Sequence, residues 1–168
     1  MRFGVLGPLA VWTDDGELVA VPGLKVRALL ADLLAGGGRP VPADRLIDDL
    51  WGDALPGNPM GSLSVKVSQL RRVLEDAEPG ARALVESRPV GYLLDAGGGR
   101  VDERRFQVLV DEARQADEAK RKAALLAEAL DLWRGPAFAD FADEPFTRAA
   151  AARLEELRLT ALEEHAEA

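Results

Sequence analysis

The sequence predicts an α+β domain over residues 1–97, followed by an all-α domain over residues 98–168. Apolar runs rich in strand formers and bounded by turn residues occur only in the first of these regions. Apolar residues at helical spacing occur in both regions. The triple glycine at 97–99 marks the one clear shift in composition, so we place the domain boundary there.

The N terminus is expected to form a β-hairpin or a β-meander. Strand formers fill Phe3 to Trp12 and Glu17 to Val21, and Asp14-Asp15-Gly16 between them is typical of a turn. Three helices should follow. The first carries Val26, Leu29, Leu30, Leu33 and Leu34, and it should end at the glycines 36–38.

A short extended piece, Arg39 to Pro42, leads to a second helix over Ala43 to Trp51. After a loop over residues 53–59, a third helix is marked by apolar residues at intervals of four, three and four: Leu63, Val67, Leu70 and Leu74. Val85 to Leu94 then predicts a β-hairpin that bends at Arg88–Gly91. Strands, three helices and a hairpin in this order indicate a winged helix-turn-helix domain.

Three helical stripes make up the second region. They are centred on Phe106 to Ala116, on Leu125 to Trp133, where Gly135-Pro136 should end the helix, and on Phe146 to Ala161. The last stripe runs into Ala-Glu-rich sequence without a partner helix. Because stacked helical repeats need a neighbour to cover the open face, we expect a helical array that is cut short, belonging either to a fragment of a longer protein or to an unusually short one.

Composition argues against several classes of function. There is no cysteine, and the single histidine, His165, lies near the end, so neither a metal nor another cofactor is expected. The sequence offers no set of nucleophile, base and orienting group, so an enzyme is not expected either. No signal peptide or membrane-length apolar run is present, which predicts a cytoplasmic protein without a membrane partner.

Charge is unevenly distributed. The net charge is −8, which is unusual for a nucleic-acid-binding protein, yet the third helix contains Lys66, Arg71 and Arg72 and no acidic residue between Asn58 and Leu74. These cations have two explanations, a solvated helix face or a DNA-binding face. The hairpin that follows favours the second, since Arg88 at its bend is suited to the negative potential of a minor groove.

Three segments, KVRALLADLLAGGGRPVPADRLIDDLWG (25–52), VKVSQLRRVLE (65–75) and ESRPVGYLLD (86–95), resemble the OmpR-type winged helix. RRFQVLVDEAR (104–114), ALLAEALDLWRGPAFADF (124–141) and the segment 144–168 resemble the bacterial transcriptional activator domain, a helical-repeat (TPR-like) fold. In combination the chain resembles the Streptomyces antibiotic regulatory proteins (SARPs) and their larger AfsR-like relatives.

This resemblance implies a transcription activator of secondary-metabolite or related genes that binds promoter direct repeats in double-stranded DNA as a homodimer and contacts RNA polymerase and its sigma factor. It also implies the following DNA-contacting residues: Arg45, Asn58, Ser64, Lys66, Ser68, Gln69, Arg71, Arg72 and Arg88. Many relatives carry arginine at or beside the position of Gln69, so we expect this chain to prefer a different base, and an amide there suits adenine. The alternative is a protein-interaction module whose winged helix does not bind DNA.

Overall fold

The computed structural model describes residues 1–168. The first part contains five strands and three helices: β1 Arg2–Gly4, β2 Ala10–Trp12, α1 Leu24–Ala35, β3 Val41–Pro42, α2 Ala43–Trp51, α3 Pro59–Ala77, β4 Val85–Ser87 and β5 Gly91–Leu94. The second part contains three helices: α4 Asp102–Gln115, α5 Ala119–Asp131 and α6 Pro145–Glu167. No helix combines the length and the apolar character needed to cross a membrane.

The predicted N-terminal hairpin is present, but the strands within it run differently from the prediction. Phe3 to Trp12 is not one strand, because β1 and β2 pair with each other in antiparallel register and residues 5–9 form the turn between them. Glu17 to Val21 contributes only an isolated bridge from Leu18 to Trp12. The run misled the prediction because Val5, Leu6 and Leu9 in the turn are as apolar and as buried as the strand residues, so the hydrophobic pattern continues across the turn signal Gly7-Pro8.

The winged helix is confirmed. Helices α1, α2 and α3 pack together, and the second sheet has the order β3-β5-β4. Gly91 is required in this sheet, because a Cβ atom there would lie 1.9 Å from the Val41 carbonyl oxygen of β3. Helix α3 begins at Pro59, inside the predicted loop, because the Asn58 side chain accepts a hydrogen bond from the Gly61 N–H (3.1 Å) and caps the helix.

The helical part is also confirmed, with one boundary moved. Helix α5 ends at Asp131, before the predicted stop at Gly135-Pro136, and Trp133 lies beyond the helix. The indole of Trp133 is buried and meets the Phe106 ring of α4 edge-on, with centroids 5.5 Å apart. In the sequence, Trp133 extends the helical spacing of apolar residues, although it lies in the loop that follows α5.

Both parts share one core of 39 buried residues. The turn formed by residues 5–9, here called the junction turn, lies between them. The Asp102 carboxylate at the start of α4 accepts the N–H groups of Val5 (2.8 Å) and Leu6 (3.1 Å). The N–H groups of Arg134 and Phe138 donate to the carbonyls of Leu6 and Val5 at 2.7 and 2.8 Å. The two parts are therefore joined by backbone hydrogen bonds as well as by the loop at 97–99.

Burial and hydrogen bonding act in opposite directions on the Asp102 carboxyl. Desolvation raises its pKa, and the two N–H donors of the junction turn and the nearby Arg134 guanidinium lower it, with desolvation the larger effect. Arg134 lies 3.8 Å from this carboxylate and also stacks over the Trp12 ring, 5.2 Å from its centroid. A charged group in such a place is retained because it satisfies otherwise unpaired backbone donors.

Candidate nucleic-acid interface

Helix α3 presents a polar stripe on the side opposite its core. Leu63, Val67, Leu70 and Leu74 are buried against α1 and α2. Ser64, Ser68 and Arg72 are exposed and stand four residues apart, so they form one line along the helix. None of the three side chains makes a hydrogen bond or an ion pair within the chain. Their donors and acceptors are free for a partner.

Lys66 and Gln69 occupy the adjacent side of α3. The Lys66 ammonium donates to the Gln69 side-chain oxygen at 3.3 Å. Together with Arg72 they line a groove of about 510 Å³ whose opposite wall is the start of α1, including Leu24 and Lys25. No acidic residue lines this groove, and the ammonium group of Lys25 donates to the Leu50 carbonyl at the end of α2. This surface is positive on a chain of net charge −8.

Two further predicted contacts lie outside this groove, Arg45 on α2 and Asn58 directly before α3. Arg45 on α2 is exposed, with its Nε atom 3.8 Å from the Asp49 carboxylate. Asn58 is exposed, and its side-chain oxygen is occupied in capping α3. Its amide nitrogen makes no bond within the chain, so Asn58 can stabilise the helix and still donate outward.

The hairpin of β4 and β5, residues 85–94, is the wing. Its bend is closed by two backbone hydrogen bonds, from the Arg88 N–H to the Gly91 carbonyl (2.7 Å) and from the Gly91 N–H to the Arg88 carbonyl (3.1 Å). The Arg88 side chain is 45 % exposed, and its guanidinium lies 3.0 Å from the Glu86 carboxylate. An exposed ion pair of this kind is weak and can be exchanged for a phosphate.

Arg71 is oriented differently from Arg72. It faces the wing, where its guanidinium donates to the Val85 carbonyl and to the Ser87 hydroxyl. The apolar spacing of α3 had placed it among the exposed cations, because nothing local in the sequence reveals a partner 14 residues further on.

Both parts of the chain match known families. Residues 23–94 match the family described as "Transcriptional regulatory protein, C terminal", and residues 101–168 match the "Bacterial transcriptional activator domain". Curated regulators of Streptomyces and Mycobacterium align with this chain along nearly its whole length. The chain belongs to the SARP family of transcriptional activators.

Three relatives show the extent of the match. RedD of Streptomyces coelicolor is 37% identical over 98% of the SARP-family chain and 48% of its own length. AfsR of the same organism is 38% identical over 97% of the chain and 16% of its own length. A solved structure of Mycobacterium tuberculosis EmbR, in complex with a low-affinity phosphopeptide, is 34% identical and superposes with a TM-score of 0.90 over 99% of the chain and 44% of EmbR. The SARP-family chain thus spans half or less of these relatives.

Val65 is a candidate contact that the sequence prediction missed. Its side chain is 53% exposed on α3, one position beyond Ser64 and one turn before Gln69. The signal was present in the sequence, since Val65 falls outside the core spacing set by Leu63 and Val67. An exposed apolar side chain on such a helix fits the methyl group of thymine.

Two aspartates face each other beneath the surface of the SARP-family chain. Asp32 of α1 is 2% exposed and lies against Asp49 of α2. Desolvation raises the pKa of Asp32 to about 9, and the hydrogen bond and the charge of Asp49 act in the same direction, while the charge of Arg45 opposes them. The raised pKa means that the pair retains one proton at neutral pH, which spares the two carboxyls a repulsion between two buried negative charges. This contact joins the first two helices of the winged helix.

Proposed function

We propose that the SARP-family chain is the DNA-binding part of a cytoplasmic transcription activator, with α3 in the major groove and the wing against the backbone or the adjacent minor groove. The observation that carries this proposal is the exposed face of α3, which offers cations, hydroxyls and an amide, and no carboxylate between Asn58 and Leu74. Phosphate oxygens and base edges need donors of this kind.

Each contact has a distinct role in the proposal. Lys66, Arg72 and Arg45 neutralise phosphates, and Ser64, Ser68 and the Asn58 amide donate to the backbone of the duplex. Gln69 can bind adenine through two hydrogen bonds, with Val65 against a neighbouring thymine methyl. In the complex, Arg88 leaves its ion pair with Glu86 and binds in the minor groove or to a phosphate. Membership of the SARP family supports the further proposal that two copies bind direct repeats side by side and that the helical part contributes to contact between the copies and with RNA polymerase and its sigma factor.

Fluorescence anisotropy with duplex DNA tests the binding. We would titrate the chain against its own upstream promoter duplex and against a scrambled duplex at two salt concentrations. The promoter duplex should bind more tightly, and affinity for both should fall steeply as salt rises. Equal and negligible affinity for both duplexes would contradict the proposal and favour a protein-interaction module, which the net charge of −8 would suit.

Matched variants locate the interface. Lys66→Ala and Arg72→Ala should each weaken binding to both duplexes and lower the salt slope by about one. Gln69→Ala should cost about 1–3 kcal/mol on the promoter duplex alone, because a base contact carries sequence information. Arg148→Ala is the control, since Arg148 is an exposed arginine of α6 without an ion pair. A control that weakens binding as much as Arg72→Ala would place the interface elsewhere.

A further inference from the structure

We propose that Arg71 is a positioning residue that fixes the wing relative to α3, and that it acts on DNA through Arg88 instead of contacting DNA itself. This inference rests on the proposed function, which makes α3 and the wing the two reading elements. Arg71 and Arg72 are adjacent and chemically identical, yet their surroundings assign them different tasks.

The Arg71 side chain makes three hydrogen bonds to β4. Its Nε and Nη2 atoms donate to the Val85 carbonyl at 3.0 and 2.8 Å, and Nη2 also donates to the Ser87 hydroxyl at 3.0 Å. The guanidinium carbon lies 6.0 Å from the centre of the Tyr92 ring on β5. A side chain held at this many points is not free to turn toward a phosphate, whereas Arg72 has no partner within the chain.

The Val85 carbonyl needs such a donor because β4 is the edge of its sheet. In an antiparallel pair, directly opposed residues alternate between hydrogen-bonded and non-hydrogen-bonded positions. Arg88 and Gly91 exchange both of their backbone bonds, so the next bonded pair is Glu86 with Leu93, and the carbonyls of Val85 and Ser87 point away from β5. Arg71 therefore covers an edge that would otherwise be open.

This contact sets the place of the wing's reading residue. Ser87, which Arg71 holds, directly precedes Arg88, and the bend is only three residues long between β4 and β5. Two nitrogens of the planar Arg71 guanidinium donate to the same Val85 carbonyl oxygen. This paired contact holds β4 in one orientation relative to α3. Lysine would keep the charge but lose this geometry, because an ammonium group is a point charge on a flexible stem.

A double-mutant cycle on the promoter duplex separates positioning from direct contact. Arg71→Lys should lower affinity roughly 5- to 30-fold, as expected for the loss of one or two kcal/mol of ordered contacts. Adding Arg88→Ala should then cost little, because the wing is already misplaced. The matched control is Arg72→Lys, after which Arg88→Ala should cost as much as in the unaltered protein. Additive losses for Arg71 and Arg88 would overturn the proposal.

Hydrogen exchange without DNA gives a readout that does not depend on the proposed function. In Arg71→Lys the N–H groups of Arg88 and Gly91 should exchange about tenfold faster, while the N–H of Leu29 in α1 keeps its protection. Ser87→Ala removes one of the three hydrogen bonds of Arg71, so exchange in the wing should accelerate by a smaller factor. This variant tests the proposal if Arg71→Lys does not fold. Unchanged exchange in the wing overturns the positioning role. Faster exchange in a chain that binds no DNA would instead refute the proposed function alone.

Discussion

Replacing Asp32 by asparagine should stabilise the chain at neutral pH. Asp32 is buried against Asp49, and it must keep a proton that an unfolded chain would release. An asparagine side chain has nearly the same shape and supplies an N–H donor to the Asp49 carboxylate without a proton to lose. The substitution therefore keeps the contact between α1 and α2 and removes the cost of protonation.

The sign and size of the expected change in the free energy of unfolding follow from the pKa of Asp32. The folded carboxyl holds its proton up to about pH 9, whereas the ordinary value is 3.8. Across this window the folded state binds more protons than the unfolded state, so the free energy of unfolding falls as pH rises. The slope is at most about 1.4 kcal/mol per pH unit, which sets an upper limit of about 4 kcal/mol at pH 7. Local rearrangement reduces this, and we expect a gain of ~1–3 kcal/mol for Asp32→Asn.

Urea unfolding at several pH values between 5 and 8.5 measures this effect. The unaltered protein should lose stability steadily as pH rises, and Asp32→Asn should show a flatter profile. Asp48→Asn is the matched control, because Asp48 is an exposed aspartate of α2 and its substitution should leave the slope unchanged. Parallel profiles for the unaltered protein and Asp32→Asn, or a loss of stability at pH 7, would refute the reasoning.

Three further substitutions have clear expected outcomes. Gly91→Ala should destabilise the chain by ~3 kcal/mol or more in urea unfolding, because its Cβ would lie 1.9 Å from the Val41 carbonyl oxygen. Asp102→Ala should cost ~1–3 kcal/mol and speed hydrogen exchange at the Val5 N–H, which loses its acceptor. Asn58→Ala should lower stability by ~1 kcal/mol through loss of the α3 cap, and Asn58→Ser should restore most of it. For each variant, an unfolding midpoint equal to that of the unaltered protein would contradict the prediction.

The sequence was most informative where structure is local. Helix α2 has the predicted bounds Ala43–Trp51, and the spacing of Leu63 to Leu74 correctly identified the buried face of α3. Periodicity succeeds in such helices because each has one face on the core and one in solvent. The wing was also predictable, since its strand formers flank a bend rich in proline and glycine.

Features that depend on distant partners were not predictable. The junction turn looked like a strand because the helical part covers it on the side where a free turn would be polar. Asp32 sits in an apolar run, and only the packing of α2 reveals that its partner is Asp49. The task of Arg71 depends in the same way on a strand that follows in the chain. The DNA-contacting roles of the α3 residues remain predictions.

The junction turn has a consequence for anyone who recombines SARP-family proteins. The glycines at 97–99 look like a convenient place to join the winged helix of one member to the helical part of another. Residues 5–9, however, accept backbone hydrogen bonds from Arg134 and Phe138 and donate two N–H groups to the Asp102 carboxylate. The two parts must therefore also fit each other at this contact, which is remote from the loop at 97–99. A successful chimera has to exchange the N-terminal hairpin together with the helical part that it contacts. The segments that must be exchanged together are therefore not contiguous in the sequence.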